Sequence, residues 1–81
     1  MIPSEEICRY LNKVKSTEPW TEMYLILDSV AQGQRTSDNY DTICSLISDV
    51  KKEAVLGKDH LMYEAVSHIS HVVAVLYNET E

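Results

Sequence analysis

The residue types best suited to chemistry concentrate in one stretch of this 81-residue chain, as His60, Glu64, His68 and His71. On a helix turning roughly 100° per residue, these four side chains project within an arc of about 80°. Imidazoles three or four residues apart with a carboxylate between them can hold zinc or nickel. The tighter His-Glu-x-x-His pattern is missing, and Cys8 and Cys44, which could complete a ligand set, fall on other segments. The expectation is therefore a solvated face with no bound metal or cofactor. The same stripe admits a second reading as a pH sensor, because imidazole titrates between about pH 5 and 8 and protonation beside Glu64 would offset part of its negative charge.

Nucleophilic chemistry has less support. Cys8 and Cys44 flank apolar stripes and read as small core residues, and no Gly-rich elbow or phosphate loop surrounds the serines. No enzyme activity is expected. Two cysteines are too few for the disulfide framework of a small secreted domain. The first residues offer neither a basic n-region nor an apolar h-region, and no run approaches the roughly 18 apolar residues of a spanning helix. A cytoplasmic protein without a membrane segment is the reading. Asn78-Glu79-Thr80 matches a glycosylation sequon, which carries little meaning outside a secretory route.

Seven Lys and Arg against thirteen Asp and Glu leave a formal charge of −6. Such a field repels phosphate backbones and anionic headgroups. The basic residues are scattered and interleaved with acids, so direct nucleic-acid binding is not expected. With 44% hydrophobic residues, two Gly and two Pro, the chain is too apolar and unbroken to be disordered.

Four helices must position these residues, within one domain over 1–81. Ile7, Tyr10, Leu11 and Val14 are spaced i, i+3, i+4, i+7, which predicts a helix over about 4–15 capped by Ser4. Thr17-Glu18-Pro19 reads as the start of a second, over 18–32, carrying Trp20, Met23, Tyr24, Leu27, Val30 and Ala31 and ending at Gly33. A third, over 38–55 with Ser37 or Asp38 as its cap, carries Tyr40, Ile43, Ile47, Val50 and Ala54 and ends at Gly57. Asp59 caps the fourth, over 59–77, with Met62, Ala65, Val66, Ile69, Val72, Val73 and Leu76 on one side. The fold class is all-α, a small bundle of three to four short helices.

A bundle this short has a thin core, and self-association is the natural remedy. Leu25 and Ile26 widen the apolar arc of the second helix, so that helix should touch more than one neighbour. Trp20 sits at its start, where it either lids the core or anchors a partner. Trp20, Leu25 and Ile26, with an acidic rim of Glu18, Glu22 and Asp28, are the expected contacts with a partner or a second copy. Tyr10, Tyr24 and Tyr40 lie on apolar stripes and are expected in the core.

Three segments also resemble a known family. They are Ile7-Cys8-Arg9-Tyr10-Leu11 in the first helix, Leu27 to Val30 near the end of the second, and Ile43-Cys44-Ser45-Leu46-Ile47-Ser48-Asp49-Val50 in the third. In that order they resemble the YmgB/AriR family of small enterobacterial regulators, which includes the YcgZ-type connector proteins. The resemblance covers nearly the whole chain. It implies a helical homodimer acting through protein contacts in two-component, Rcs-type stress signalling, with effects on biofilm formation and acid resistance. Promoter binding, also ascribed to the family, is not carried over, because the connection into the third helix reads Ser37-Asp38-Asn39-Tyr40-Asp41 where relatives tend to be more basic. The Pro19-Trp20 pair is another departure. The expected function is thus a non-enzymatic adaptor with a signalling protein as partner. Other classes are a phage- or plasmid-encoded inhibitor or DNA mimic, a secretion-system chaperone, and an enzyme requiring His68 and His71 to converge with ligands from elsewhere.

Overall fold

A computed structural model of the chain describes residues 4–78. Four helices follow one another: α1 (Glu5–Val14), α2 (Trp20–Ala31), α3 (Ser37–Leu56) and α4 (His60–Asn78). Each lies within two residues of the span its periodicity predicts. Of the sequon Asn78-Glu79-Thr80, only Asn78 lies within the described residues, where it ends α4. The tail expected to fray after Tyr77 lies outside them beyond Asn78.

The helix ends show how local chemistry sets these boundaries. At α1 the Ile7 amide donates to Ser4 Oγ at 3.2 Å, and Glu5 and Glu6 occupy the first turn, where the exposed N–H groups favour carboxylates. Thr17 does not cap α2. Its hydroxyl donates back to the Val14 carbonyl at 2.7 Å and closes α1, while Pro19, after a cis Glu18–Pro19 bond, occupies the α2 cap position without a side-chain cap bond. At α3 the cap is Thr36 rather than Ser37 or Asp38, its hydroxyl accepting from the Asn39 amide at 3.1 Å. Asp59 caps α4 as expected, accepting from the Met62 amide at 3.0 Å. Gly33 leaves α2 at φ 104°, a left-handed conformation that glycine adopts without steric cost.

α3 and α4 form an antiparallel hairpin, α1 packs on α4, and α2 packs on both α3 and α4. Two neighbours for α2 explain its wide apolar arc, since Tyr24, Ile26 and Leu27 all pack against the core from its margins. The stripes Ile43, Ile47, Val50 and Ala54 of α3 and Ala65, Val66, Ile69 and Val73 of α4 are buried, together with Met23, Val30, Ile7 and Leu11. Three expectations about the core need correction. Tyr40 is exposed, lying edge-on to Tyr77 with ring centroids 4.9 Å apart. Cys8 is exposed and Cys44 half-buried, so neither is a core thiol.

Candidate functional site

The sequence-predicted contact set divides in the structure. Trp20 is 3% exposed and belongs to the core, its indole edge-on to Tyr10 with ring centroids 6.0 Å apart. The short turn after α1 folds it inward, so it lids the core and is corrected out of the exposed contact surface. Ile26 is half-buried against the same core. Leu25 stays outward at 63% exposure. Glu22 and Asp28, three residues to either side of it, are exposed, as is Glu18 in the preceding turn. What remains of the expected surface is one leucine flanked by acids.

The larger apolar surface lies elsewhere. In α3 the buried stripe ends at Ala54, so Val55 and Leu56 fall about 100° and 200° away from it around the helix. They emerge at 63% and 83% exposure. Beyond them the chain turns through Gly57 and Lys58, the latter at φ 53°, and the Asp59 amide donates to the Ala54 carbonyl at 2.9 Å. That turn brings exposed Tyr63 of α4 beside Val55, and with Ala54, Lys58 and His60 they line a hollow of about 330 Å³. A second apolar surface this concentrated is what an interface core requires. The sequence carried the signal, since two large aliphatic residues stand off the stripe immediately before a glycine.

At the opposite end of the hairpin the helix termini are tied together. Arg35 Nε donates to the Leu76 carbonyl at 2.9 Å, where a cation complements the C-terminal end of α4. Tyr77 Oη donates to the Thr36 carbonyl at 2.9 Å. The Tyr40 phenol is raised above its ordinary value first by a hydrogen bond with Cys44 and then by electrostatic interaction with it, and partial burial followed by Cys44 raises that of Tyr77. Neither Arg35 nor Tyr77 stood out in the sequence, because both bonds bridge residues 41 positions apart.

The histidine stripe is not one solvated face. His60, Glu64 and His71 are exposed, but His68 is half-buried at the margin of the α4 core face, with its Nδ1 buried and without a hydrogen-bond partner among the described residues. Burial, followed by the neighbouring His71, pushes its pKa below the ordinary histidine value. Among the described residues, no three His, Cys, Asp or Glu side chains come close enough to hold a metal ion. Among the described residues, His68 and His71 do not converge with ligands from another helix.

No helix among the described residues is long and apolar enough to cross a membrane. The fold and surface define a small all-α bundle with a bare apolar end. Comparison of the chain with known protein families, curated proteins and solved structures finds no match.

Proposed function

We propose that this chain is a non-enzymatic regulatory adaptor of the cytoplasm, acting as a homodimer that engages a signalling protein. The reading extends the resemblance to the YmgB/AriR regulators and their two-component connectors in stress, biofilm and acid-resistance signalling. One observation carries it: Leu56 and Val55 stand 83% and 63% exposed at the end of α3, Val55 beside Tyr63, although α3 and α4 close their shared core without them. Leaving two aliphatic side chains in water forgoes on the order of 1.5–3 kcal/mol each, a cost that a covering surface recovers. Leu25 between Glu22 and Asp28 supplies a smaller contact whose acids tune partner choice more than affinity.

The closed core gives no support to a secretion-chaperone reading, which calls for a long apolar groove. Affinity capture from the native host with the intact chain and a Val55→Asp/Leu56→Asp variant, followed by mass spectrometry, tests the proposal. The bare end is read as the homodimer contact, so a signalling protein that engages the dimer should be retained by the intact chain and lost by the variant, which no longer dimerises. Identical captures by the two proteins would refute the assignment of this surface.

A further inference from the structure

A second groove, also about 330 Å³, runs between α3 and α4 away from their connecting turn. Its floor is apolar, from the buried Ile47 and Val73. Its rim carries Lys51 and Ser48 of α3 and Ser70 of α4, and Tyr40 and Cys44 continue it towards the tied end of the hairpin. Residues 40, 44, 48 and 51 recur at steps of four and three, which keeps them in line along one face of α3. Lys51 is half-buried. Neither its ammonium nor the hydroxyls of Ser48 and Ser70 make an ion pair or hydrogen bond with the described residues, so the groove presents a cation and two hydroxyls beside an apolar floor.

We propose that this groove binds a small organic anion with an apolar body, of the medium-chain carboxylate kind. The carboxylate accepts from Lys51 Nζ and from the Ser48 and Ser70 hydroxyls, and the aliphatic chain lies over Ile47 and Val73 towards the Tyr40 ring. Size fits that class: 330 Å³ is at the small end of ligand pockets, and eleven residues of helix separate Tyr40 from Lys51 by about 16 Å. A molecule carrying −6 repels anions at long range, so recognition depends on the local ammonium and hydroxyls and must discriminate by the sign of the ligand's charge. This site is independent of the bare end formed by Val55, Leu56 and Tyr63.

The two cysteines make the test internal, since Cys44 lines the groove and Cys8 is exposed on α1. The full chain is titrated with octanoate and, separately, with octyltrimethylammonium, following backbone amide shifts by NMR and the alkylation rates of both thiols. Octanoate is expected to give saturable shifts confined to residues 40–51 and 70–74. At ten times its dissociation constant it slows Cys44 alkylation roughly tenfold by occupancy and leaves Cys8 unchanged. Lys51→Gln weakens octanoate about tenfold, the loss of one charge-assisted hydrogen bond. The proposal is overturned if octanoate shifts do not saturate, if the cationic amphiphile binds as well, or if Lys51→Gln binds like the parent chain. It is equally overturned if the same shifts arise on changing protein concentration without ligand, which would make the groove a contact between copies.

Discussion

The two ends of the α3–α4 hairpin are built from similar residues and treated oppositely. At the end where α3 begins and α4 stops, Arg35 and Tyr77 bond the opposing carbonyls of Leu76 and Thr36, and Tyr40 packs edge-on against Tyr77. At the end where α3 stops and α4 begins, the turn is held by backbone bonds and the Asp59 cap, and Val55, Leu56 and Tyr63 face outward. The first end shows that this chain can tie and partly cover its helix termini. The apolar residues at the other end are left bare, and it is there that the proposed partner surface lies.

The comparison is broken most forcefully at the core that both ends share. Trp20→Ala should cost about 3–5 kcal/mol by chemical denaturation, as for other buried large aromatic truncations. A stability unchanged by that substitution would return Trp20 to the exposed contact set and undo the division between core and surface. At the tied end, Arg35→Ala should cost about 1.5 kcal/mol, because it removes a charge-assisted bond to a helix-terminal carbonyl, with faster hydrogen exchange over the last turn of α4. If exchange there is unaffected, the two ends do not differ as described.

A pH effect follows from the half-buried His68. Burial lowers its pKa in the folded chain, so the unfolded chain takes up the proton first as pH falls. Stability is then full above the ordinary histidine value of 6.5 and declines as pH drops below it towards the lowered folded value. His68→Gln should flatten that decline in a series of denaturant titrations from pH 7.5 to 5. The smallest change in stability belongs to the bare end. At protein concentrations low enough that the intact chain is also monomeric, Val55→Asp/Leu56→Asp should shift stability by no more than about 0.5 kcal/mol per site, as for surface positions, and a loss of several kcal/mol there would mean that these side chains serve the core after all.

How much of this was legible in the sequence depends on the range of the interactions involved. Helix existence and register were readable because Ile43, Ile47, Val50 and Ala54 repeat at the period of one buried face, and the structure buries all four. The caps were half-readable: Ser4 and Asp59 act as their types suggest, but Thr17 and Thr36 each offer a hydroxyl near a helix end, and only three-dimensional placement decides which end it serves. Tyr40 continued the α3 stripe yet lies at its start, where Tyr77 of α4 meets it edge-on and leaves it exposed. The wide arc of α2 was legible as a helix with more than one neighbour, and α2 packs on both α3 and α4; of the surplus surface also read into it, Leu25 stays outward. The larger exposed aliphatic residues stand at the end of α3, where Val55 and Leu56 fall off the buried stripe that the periodicity marks.

Sedimentation velocity on the intact chain and on Val55→Asp/Leu56→Asp, at matched micromolar concentrations, tests the bare end most directly. With a chain mass of 9.3 kDa, the intact protein should sediment at twice that mass and the folded variant at 9.3 kDa. A monomeric intact chain, or a variant that remains dimeric, would contradict the assignment of this surface as the interface.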